Sequence, residues 1–546
     1  MHIKASAARL GIFIGMALAL TWPLAWHLGT HLPLGTESVA TVPLFNLWTL
    51  TWNAGQLAAG YPGYWDAPIF YPETGTFALS DPQPLSGLLF ALPYLLTQNG
   101  VLAYNLTLLA LLTLNGWAAY RLLRTLQIRD GAALLGSALV QALPFVQHEI
   151  GVIQLVPLFP ILFALAALFR FGRDARPRDG LILGGWLAAA LLFSGYYGLF
   201  LGVMIALGGL IFARRAHLTL RGASGVLWGA LTLGLILAPV LPAQRRLLTG
   251  YAWSDRTVAA NSAYADDYLR LEPGGFGGLT PWVNDEGGTG QALFPGTGVL
   301  LLGAAGAVVA WRRGQRRWAA FALAGAGAAF LFSLGTHLDI VGFQPYAFIR
   351  TYMPGYTQLR SPFRMAVFVQ VFTALLAAYG LEILWSWRGR LGRGVAVGLT
   401  LLSIAEVTTL PHRLYTTPEL ISTPAWALWL KEQPPAAAIM IPFEASGNVS
   451  DFEPTTLGMV LALEHGKPLL NGYSGFFPDS YRQLKAVIAF FPSPASVAIL
   501  TERAPLYLII ERGWLTLARL EGISEVAGVE LVYEDKAKFI YWLDTE

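Results

Sequence analysis

Three arginines stand close together in a part of the chain where cations are otherwise scarce. They are Arg350, then Arg360 and Arg364 within the run Leu359-Arg360-Ser361-Pro362-Phe363-Arg364. A guanidinium presents a planar fork of donors that can hold phosphate bidentately, so the trio suits a grip on a lipid phosphate or pyrophosphate. Snorkelling to headgroups, or pairing with nearby carboxylates, accounts for the same residues. A second pattern lies at 65–81, in Trp65-Asp66, Ile69-Phe70-Tyr71-Pro72 and Leu79-Ser80-Asp81. Aromatic faces stack on the C–H faces of a sugar, while carboxylates such as Asp66 and Asp81 accept its hydroxyls, one of them as general base. An interfacial aromatic belt with solvated acids explains that pattern equally well. The third candidate is His148-Glu149, an ionisable pair beside apolar segments, suited to contacting substrate or assisting a metal. Two residues do not make a metal site, and no ligand set for a metal can be read. Glu382 and Glu406, also near the ends of apolar segments, fit interfacial solvation or a neutralising helix–helix hydrogen bond.

The elements that carry these groups follow from composition. Only 13% of the 546 residues are charged, and there are 18 Trp, 21 Tyr and 30 Phe. Mean hydropathy is +0.52. A soluble fold has too few charges here to coat its surface, so the chain reads as a polytopic membrane protein. Disorder and collagen are excluded, and the absence of Cys excludes a disulfide scaffold. Eleven apolar segments are long enough to suggest spans, at about 8–27, 101–122, 131–147, 151–171, 180–195, 196–213, 223–243, 295–311, 318–336, 363–386 and 394–411. A twelfth, Leu85 to Leu96, is short, contains Pro93 and lacks a basic flank, and reads as interfacial or re-entrant. The first segment reads as a retained anchor, because no small-x-small cleavage site follows it.

Charge tests this count. Basic residues gather at Lys4/Arg9, Arg121/Arg124/Arg129, Arg170/Arg173/Arg176/Arg178, Arg214/Arg215/Arg221, Arg312/Arg313/Arg316/Arg317 and Arg388/Arg390/Arg393, after every second span. The positive-inside bias therefore places the N-terminus and these turns in the cytoplasm and the remaining loops outside, in a cytoplasmic (inner) membrane. Two outer loops are large. The one at 28–100 has no basic residue, and its stretch Val42 to Ala59 reads as an amphipathic helix lying in the interface. The other, 244–294, is rich in Gly and in acids, including Asp255, Asp285 and Glu286. The expected domains are a transmembrane helical bundle at 1–411 and an extracytoplasmic α/β domain at 412–546, which holds 10 basic and 16 acidic residues. In the tail, Ala438–Pro442, Leu506–Ile510 and Phe539–Leu543 read as strands, with helices near 480–490 and 512–520.

Several short motifs run through the chain in order: Asn46-Leu47-Trp48, Ile69-Phe70-Tyr71-Pro72, Ala103-Tyr104-Asn105, Ser194-Gly195-Tyr196-Tyr197, Phe294-Pro295-Gly296, Ser333-Leu334-Gly335, Pro354-Gly355 and Asn471-Gly472-Tyr473. In this order and topology the chain resembles the bacterial polytopic membrane proteins of the GT-C glycosyltransferase type, including the uncharacterised and YfhO-like branches. The resemblance implies a GT-C-like helical bundle that transfers a sugar from a polyprenyl-phosphate donor on the outer face. It implies that an acid early in the first outer loop is the catalytic base or a metal contact. By position that acid is Glu37, where relatives commonly carry Asp. Arg350, Arg360 and Arg364 would then stabilise the departing phosphate, and Asp66, Asp81, His148, Glu149, Tyr196 and Tyr197 would line the sugar or acceptor cavity. No cofactor is required, a divalent metal is left open, and the tail would dock a protein partner or cap the site.

Other classes remain. A non-catalytic member of the same fold would serve as a scaffold or assembly subunit. A transporter or flippase of a lipid-linked substrate would call for paired intramembrane charges or broken helices in two related halves, and neither is evident. No nucleic-acid partner is expected, and no Gly-rich phosphate loop for a nucleotide donor is visible.

Overall fold

The computed structural model describes residues 2–271, 291–387 and 389–544. Asp285, Glu286 and Arg388 lie outside the described residues. The chain divides into two compact units, Met1–Trp26 with Thr107–Arg413, and His27–Leu106 with Leu414–Glu546. The segment expected as the first outer loop thus belongs to the same unit as the tail.

The first unit is helical. A helix stands at each of the eleven apolar segments: His2–Leu20, Gly100–Thr125, Asp130–Gln141, Phe159–Asp174, Pro177–Phe193, Gly195–Phe212, Leu220–Leu237, Thr297–Arg312, Arg316–Ser333, Ala366–Ser386 and Arg390–Val407. Five of the described helical stretches are long and apolar enough to cross a membrane: Gly100–Thr125, Ile153–Asp174, Gly195–Phe212, Leu220–Leu237 and Pro362–Ser386. Proline sets several of the ends. The segment at 131–147 breaks before Pro144, because a residue that precedes proline avoids the helical region, and Leu143 has ψ 127°. The segment at 223–243 stops at Leu237, just before Pro239.

Glycine decides how closely these helices approach. Gly180 and Gly184 on Pro177–Phe193 face Gly225 and Gly229 on Leu220–Leu237. A Cβ on Gly184 would lie 2.0 Å from the Gly229 carbonyl oxygen, and one on Gly180 2.1 Å from that of Gly225. Two small residues four apart on each helix let the backbones touch, which is how helices associate where no hydrophobic force drives them together. The helix Ala366–Ser386 is buried along most of its length, with Phe368, Phe372 and Leu375 fully enclosed. Its Gln370 accepts from the Phe145 N–H at 3.0 Å and donates to the Leu293 carbonyl at 3.1 Å.

The two intramembrane acids are compensated. Glu382 is buried and ion-paired with Arg313 and, at 3.8 Å, with Arg129. Glu406 accepts from the Gly298 N–H at 3.3 Å, placing a carboxylate at the N-terminus of Thr297–Arg312, where the helix dipole favours it. Ion pairing across helices accounts for Glu382, whereas Glu406 has one oxygen on a helix N-terminus and Oε1 buried with no hydrogen-bond partner among the described residues.

The second unit is built around a sheet and two helices from the early segment. Leu32–Pro33 (β1) pairs antiparallel with Leu414–Tyr415 (β2). Ala437–Ile441 (β3), Leu506–Glu511 (β4), Val529–Glu534 (β5) and Lys538–Leu543 (β6) form a sheet of order β3-β4-β6-β5, with β3 and β4 parallel and the other pairs antiparallel. Ile439, Leu508, Ile510 and Leu543 pack its core with Leu484 and Ile488 of the helix Asp479–Ile488.

The early segment is tied into this unit by backbone hydrogen bonds. Phe70 N–H donates to Asn471 O at 3.2 Å, Tyr71 N–H to Leu469 O at 2.9 Å, and Leu469 N–H to Pro68 O at 3.0 Å. The motifs Ile69-Phe70-Tyr71-Pro72 and Asn471-Gly472-Tyr473 therefore meet. Gly472 is required there, since a Cβ would lie 2.6 Å from the Phe70 ring. The helix Thr41–Ala59 is a core helix rather than an interfacial one: Leu44, Leu47, Trp48 and Leu50 are buried, and Glu453 accepts from the Ala40 N–H just before its start at 2.7 Å. The Leu85–Leu96 stretch is the helix Pro84–Thr97, with Phe90 and Ala91 buried and Leu88, Leu92 and Leu96 exposed.

Candidate functional site

The first unit gathers the arginine trio around two aromatic rings. Tyr196 is the second residue of the helix Gly195–Phe212. Arg360 and Arg364 lie in the turn that leads into Ala366–Ser386, where Ser361-Pro362 forces an extended step and then a short 3-10 turn over Pro362–Met365. The Arg360 backbone N–H donates to the Tyr196 hydroxyl at 2.9 Å. The Arg364 guanidinium lies 4.7 Å from the centre of the same ring. A cation over a phenol face is held by the ring quadrupole, so one tyrosine positions both residues.

Each guanidinium then reaches a further partner. Arg364 lies 4.0 Å from Glu149, and the two side chains are only 11% and 12% exposed. Arg360 lies over the Trp253 ring at 5.4 Å. Arg350, near the end of the helix Pro345–Tyr352, donates to the Trp253 carbonyl and pairs with Asp255. Trp253 is itself fixed by its N–H, which donates to Thr357 O at 3.1 Å. Glu149, Arg364, Tyr196, Arg360, Trp253, Arg350 and Asp255 thus form one connected chain of contacts. A cavity of about 380 Å³ adjoins the Arg350–Asp255 pair, with Arg256, Thr336 and Gln344 also in its lining. Aromatic faces thus orient Arg360 and Arg364, and a carbonyl and a carboxylate orient Arg350.

The other candidates in this unit are enclosed. Tyr197 is 1% exposed and donates its hydroxyl to Leu155 O at 2.5 Å. It is close enough to Glu149 and Arg364 to interact with their charges. His148 is buried with Nδ1 3.2 Å from Ala292 O, which makes Nδ1 the protonated nitrogen, since a carbonyl only accepts.

Glu37, Asp66 and Asp81 belong to the second unit. Glu37 is half-buried in a turn, its N–H donating to Leu34 O at 3.1 Å. Asp66 is exposed and closes its own loop, Oδ1 accepting from the Gly75 N–H at 2.7 Å. Asp81 is half-buried. Among the aromatics beside them, Phe70 and Phe77 are core residues, whereas Tyr61 and Tyr71 are exposed. Among the described residues no group of three or more His, Cys, Asp or Glu could hold a metal ion.

Trp253 and the use of Asp255 as a partner for Arg350 were not anticipated. The one local signal is Trp253-Ser254-Asp255, in which Ser254 caps a helix by accepting from the Thr257 N–H at 3.2 Å.

Comparison with solved structures places this arrangement in a known fold. The cryo-EM structure of the arabinofuranosyltransferase AftD from Mycobacteria matches 100% of this chain with TM-score 0.59 at 13% identity, and the chain spans 40% of that protein's length. ArnT from Cupriavidus metallidurans matches in the apo state, with TM-score 0.50 at 13% identity and 98% of each chain covered. Its structure bound to undecaprenyl phosphate matches with TM-score 0.51 at 14% identity and 97% of each chain covered. At these identities the likeness is one of fold. No curated protein matches the sequence. A family profile described as a domain of unknown function, DUF6311, matches residues 47–407. With apolar helices, the fold of the GT-C membrane glycosyltransferases and a profile over most of its length, this multi-pass membrane protein belongs to the DUF6311 family.

Proposed function

We propose that the protein transfers a sugar from a polyprenyl-phosphate donor at the outer face of the cytoplasmic membrane. The observation that carries this reading is the docking of Arg360 and Arg364 on Tyr196, at the start of one membrane-length helix and the approach to another. The ligand of ArnT, undecaprenyl phosphate, is a lipid phosphate of the kind that such a donor leaves behind, and it suits this grip. In the reaction, the bond from the sugar's anomeric carbon to the phosphate oxygen breaks, and the electron pair leaves with the phosphate. Arg360 and Arg364, with Arg350, stabilise that charge as it develops. An acceptor hydroxyl forms the new bond to carbon and gives its proton to Glu37. His148, Glu149, Tyr196 and Tyr197 are the first unit's candidates for contact with sugar or acceptor, and Asp66 and Asp81 are the second unit's. A divalent metal is not needed for this charge balance.

A second reading is a non-catalytic subunit of the same fold. It is favoured by the partners already held by Arg350, which pairs with Asp255, and by Asp66, which closes its own loop. In that case the α/β part would dock another protein. The test is Arg360→Ala and Glu37→Gln in the native host, read as the glycan or glycolipid product by mass spectrometry at matched protein levels. Transfer predicts loss of product in both. Wild-type product in both, together with a stoichiometric partner on purification, overturns the transferase reading and supports the subunit.

A further inference from the structure

Away from the Tyr196 cluster, the basic turns of the first unit close around a cavity of about 450 Å³. Its lining holds five guanidiniums, those of Arg173, Arg214, Arg313, Arg316 and Arg317, and no carboxylate. Two of the five are neutralised from outside the lining: Arg173 is bidentate on Asp174 at 2.8 and 2.9 Å, and Arg313 pairs with the buried Glu382. Arg214, Arg316 and Arg317 form no ion pair among the described residues. Two of them are nevertheless fixed in place. Arg317 donates to the carbonyls of Phe212 and Ala213 at 3.2 and 3.0 Å, and Arg214 to that of Arg173 at 3.5 Å. Carbonyls orient these forks without cancelling their charge, although Asp174 lies near enough to Arg214 to act on it.

Two further features add to the field and the shape. The helix Arg316–Ser333 starts in the lining, so its first-turn N–H groups and the positive end of its dipole lie at the cavity wall. Phe169, Phe212 and Trp318 supply an apolar part of the same wall. Trp318 is 1% exposed, and its indole N–H has no acceptor among the described residues. Three like charges held around one space repel each other unless an anion sits between them. The volume lies within the range of small-molecule sites.

We propose that this cavity binds a phosphate ester, with Arg214, Arg316 and Arg317 on the phosphate oxygens and the Phe169–Phe212–Trp318 wall against the apolar stem. An anionic phospholipid headgroup and a soluble phosphate share this chemistry. Neither involves the Arg350–Arg360–Arg364 cluster, so the proposal stands apart from the transfer reaction.

The test uses the purified full chain in neutral detergent, with short-chain phosphatidylglycerol and inorganic phosphate as probes. Arg214→Ala/Arg316→Ala is compared with Arg312→Ala/Arg390→Ala, which removes the same charge from exposed positions outside the cavity. The cavity variant is expected to weaken phosphatidylglycerol binding at least about tenfold, and the control variant less than about twofold. Arg316→Ala alone, whose guanidinium makes no hydrogen bond among the described residues, serves if the double variant fails to fold, with a loss of at least about threefold. Inorganic phosphate that binds with the same variant dependence identifies a soluble ester as the ligand and supports the site. If neither probe is weakened more by the cavity variant than by the control, the proposal is overturned.

Discussion

Glu149 and Arg364 allow the structural and the chemical role of one arginine to be separated. The two charges lie 4.0 Å apart with side chains 12% and 11% exposed. At an effective dielectric of about 20 their attraction is about 4 kcal/mol, part of which offsets the cost of withdrawing both from water. Arg364→Met removes the cation 4.0 Å from the enclosed Glu149 carboxylate and is expected to destabilise the protein by about 3 kcal/mol. Glu149→Gln removes a carboxylate from beside Arg364, though Tyr196 still holds its guanidinium, and should cost about 2 kcal/mol. In the double variant no uncompensated charge remains, so its stability should return to within about 1 kcal/mol of wild type. The coupling is then at least about 4 kcal/mol, read from denaturant unfolding of the four proteins in detergent. Binding of a polyprenyl phosphate behaves differently: it falls at least about tenfold with Arg364→Met and does not recover in the double variant. A coupling below about 0.5 kcal/mol would show that Glu149 and Arg364 do not act as a pair. Recovery of lipid binding in the double variant would show that Arg364 acts only by stabilising the fold.

Two further predictions concern other parts of the chain. Gly184→Leu places side-chain atoms where the Gly229 carbonyl oxygen lies 2.0 Å from the Cβ position, so the helix pair must separate, and the yield of monodisperse protein on size-exclusion chromatography should collapse. Burial, with Lys467 adding to it, lowers the His465 imidazole to about 4 from 6.5. Its Nδ1 accepts from the Lys467 N–H at 3.1 Å, which requires the neutral ring. Because the folded value is the lower one, stability is full above pH 6.5 and is lost as pH falls toward 4, by about 3 kcal/mol. Hydrogen exchange over Glu453–His465 should accelerate across that window in wild type, and the acceleration should flatten in His465→Gln.

What could be read from the sequence follows the range of the interactions involved. Apolar segments were legible because a membrane-length helix satisfies its own backbone, so composition over about twenty residues decides it. Strands β3, β4 and β6 were legible as short apolar runs, whereas β5, Val529–Glu534, escaped notice. It lies at the sheet edge, with Glu530, Leu531 and Glu534 exposed and no residue fully buried. The helix Thr41–Ala59 shows the limit most clearly. Its polar face suggested an interface, yet Thr41 donates to Val449 O, and the tail residues that cover the helix are some four hundred positions away. The arginine trio stood out by type and spacing. Tyr196 was named through the motif Ser194-Gly195-Tyr196-Tyr197, but its link to Arg360 was not legible, because that bond spans 164 residues and no local pattern encodes it.

The same helix explains why the two basic sites of the first unit differ in kind. Tyr196 begins Gly195–Phe212, and Phe212 ends it, so at 1.5 Å per residue the phenol and the cavity at the basic turns are about 24 Å apart along the axis. At the Tyr196 end every guanidinium has a partner: a ring and a carboxylate for Arg364, a ring for Arg360, a carboxylate and a carbonyl for Arg350. Such groups are already oriented, and a phosphate arriving there gains directed hydrogen bonds at little cost in order. At the Phe212 end, Arg317 is held by carbonyls, Arg214 by a carbonyl with Asp174 near enough to act on its charge, and Arg316 by no ion pair among the described residues. An anion arriving there relieves mutual repulsion, a gain that depends on charge more than on shape. Orientation suits a site where one bond must break in one direction, and uncompensated charge suits a site that has only to hold its ligand.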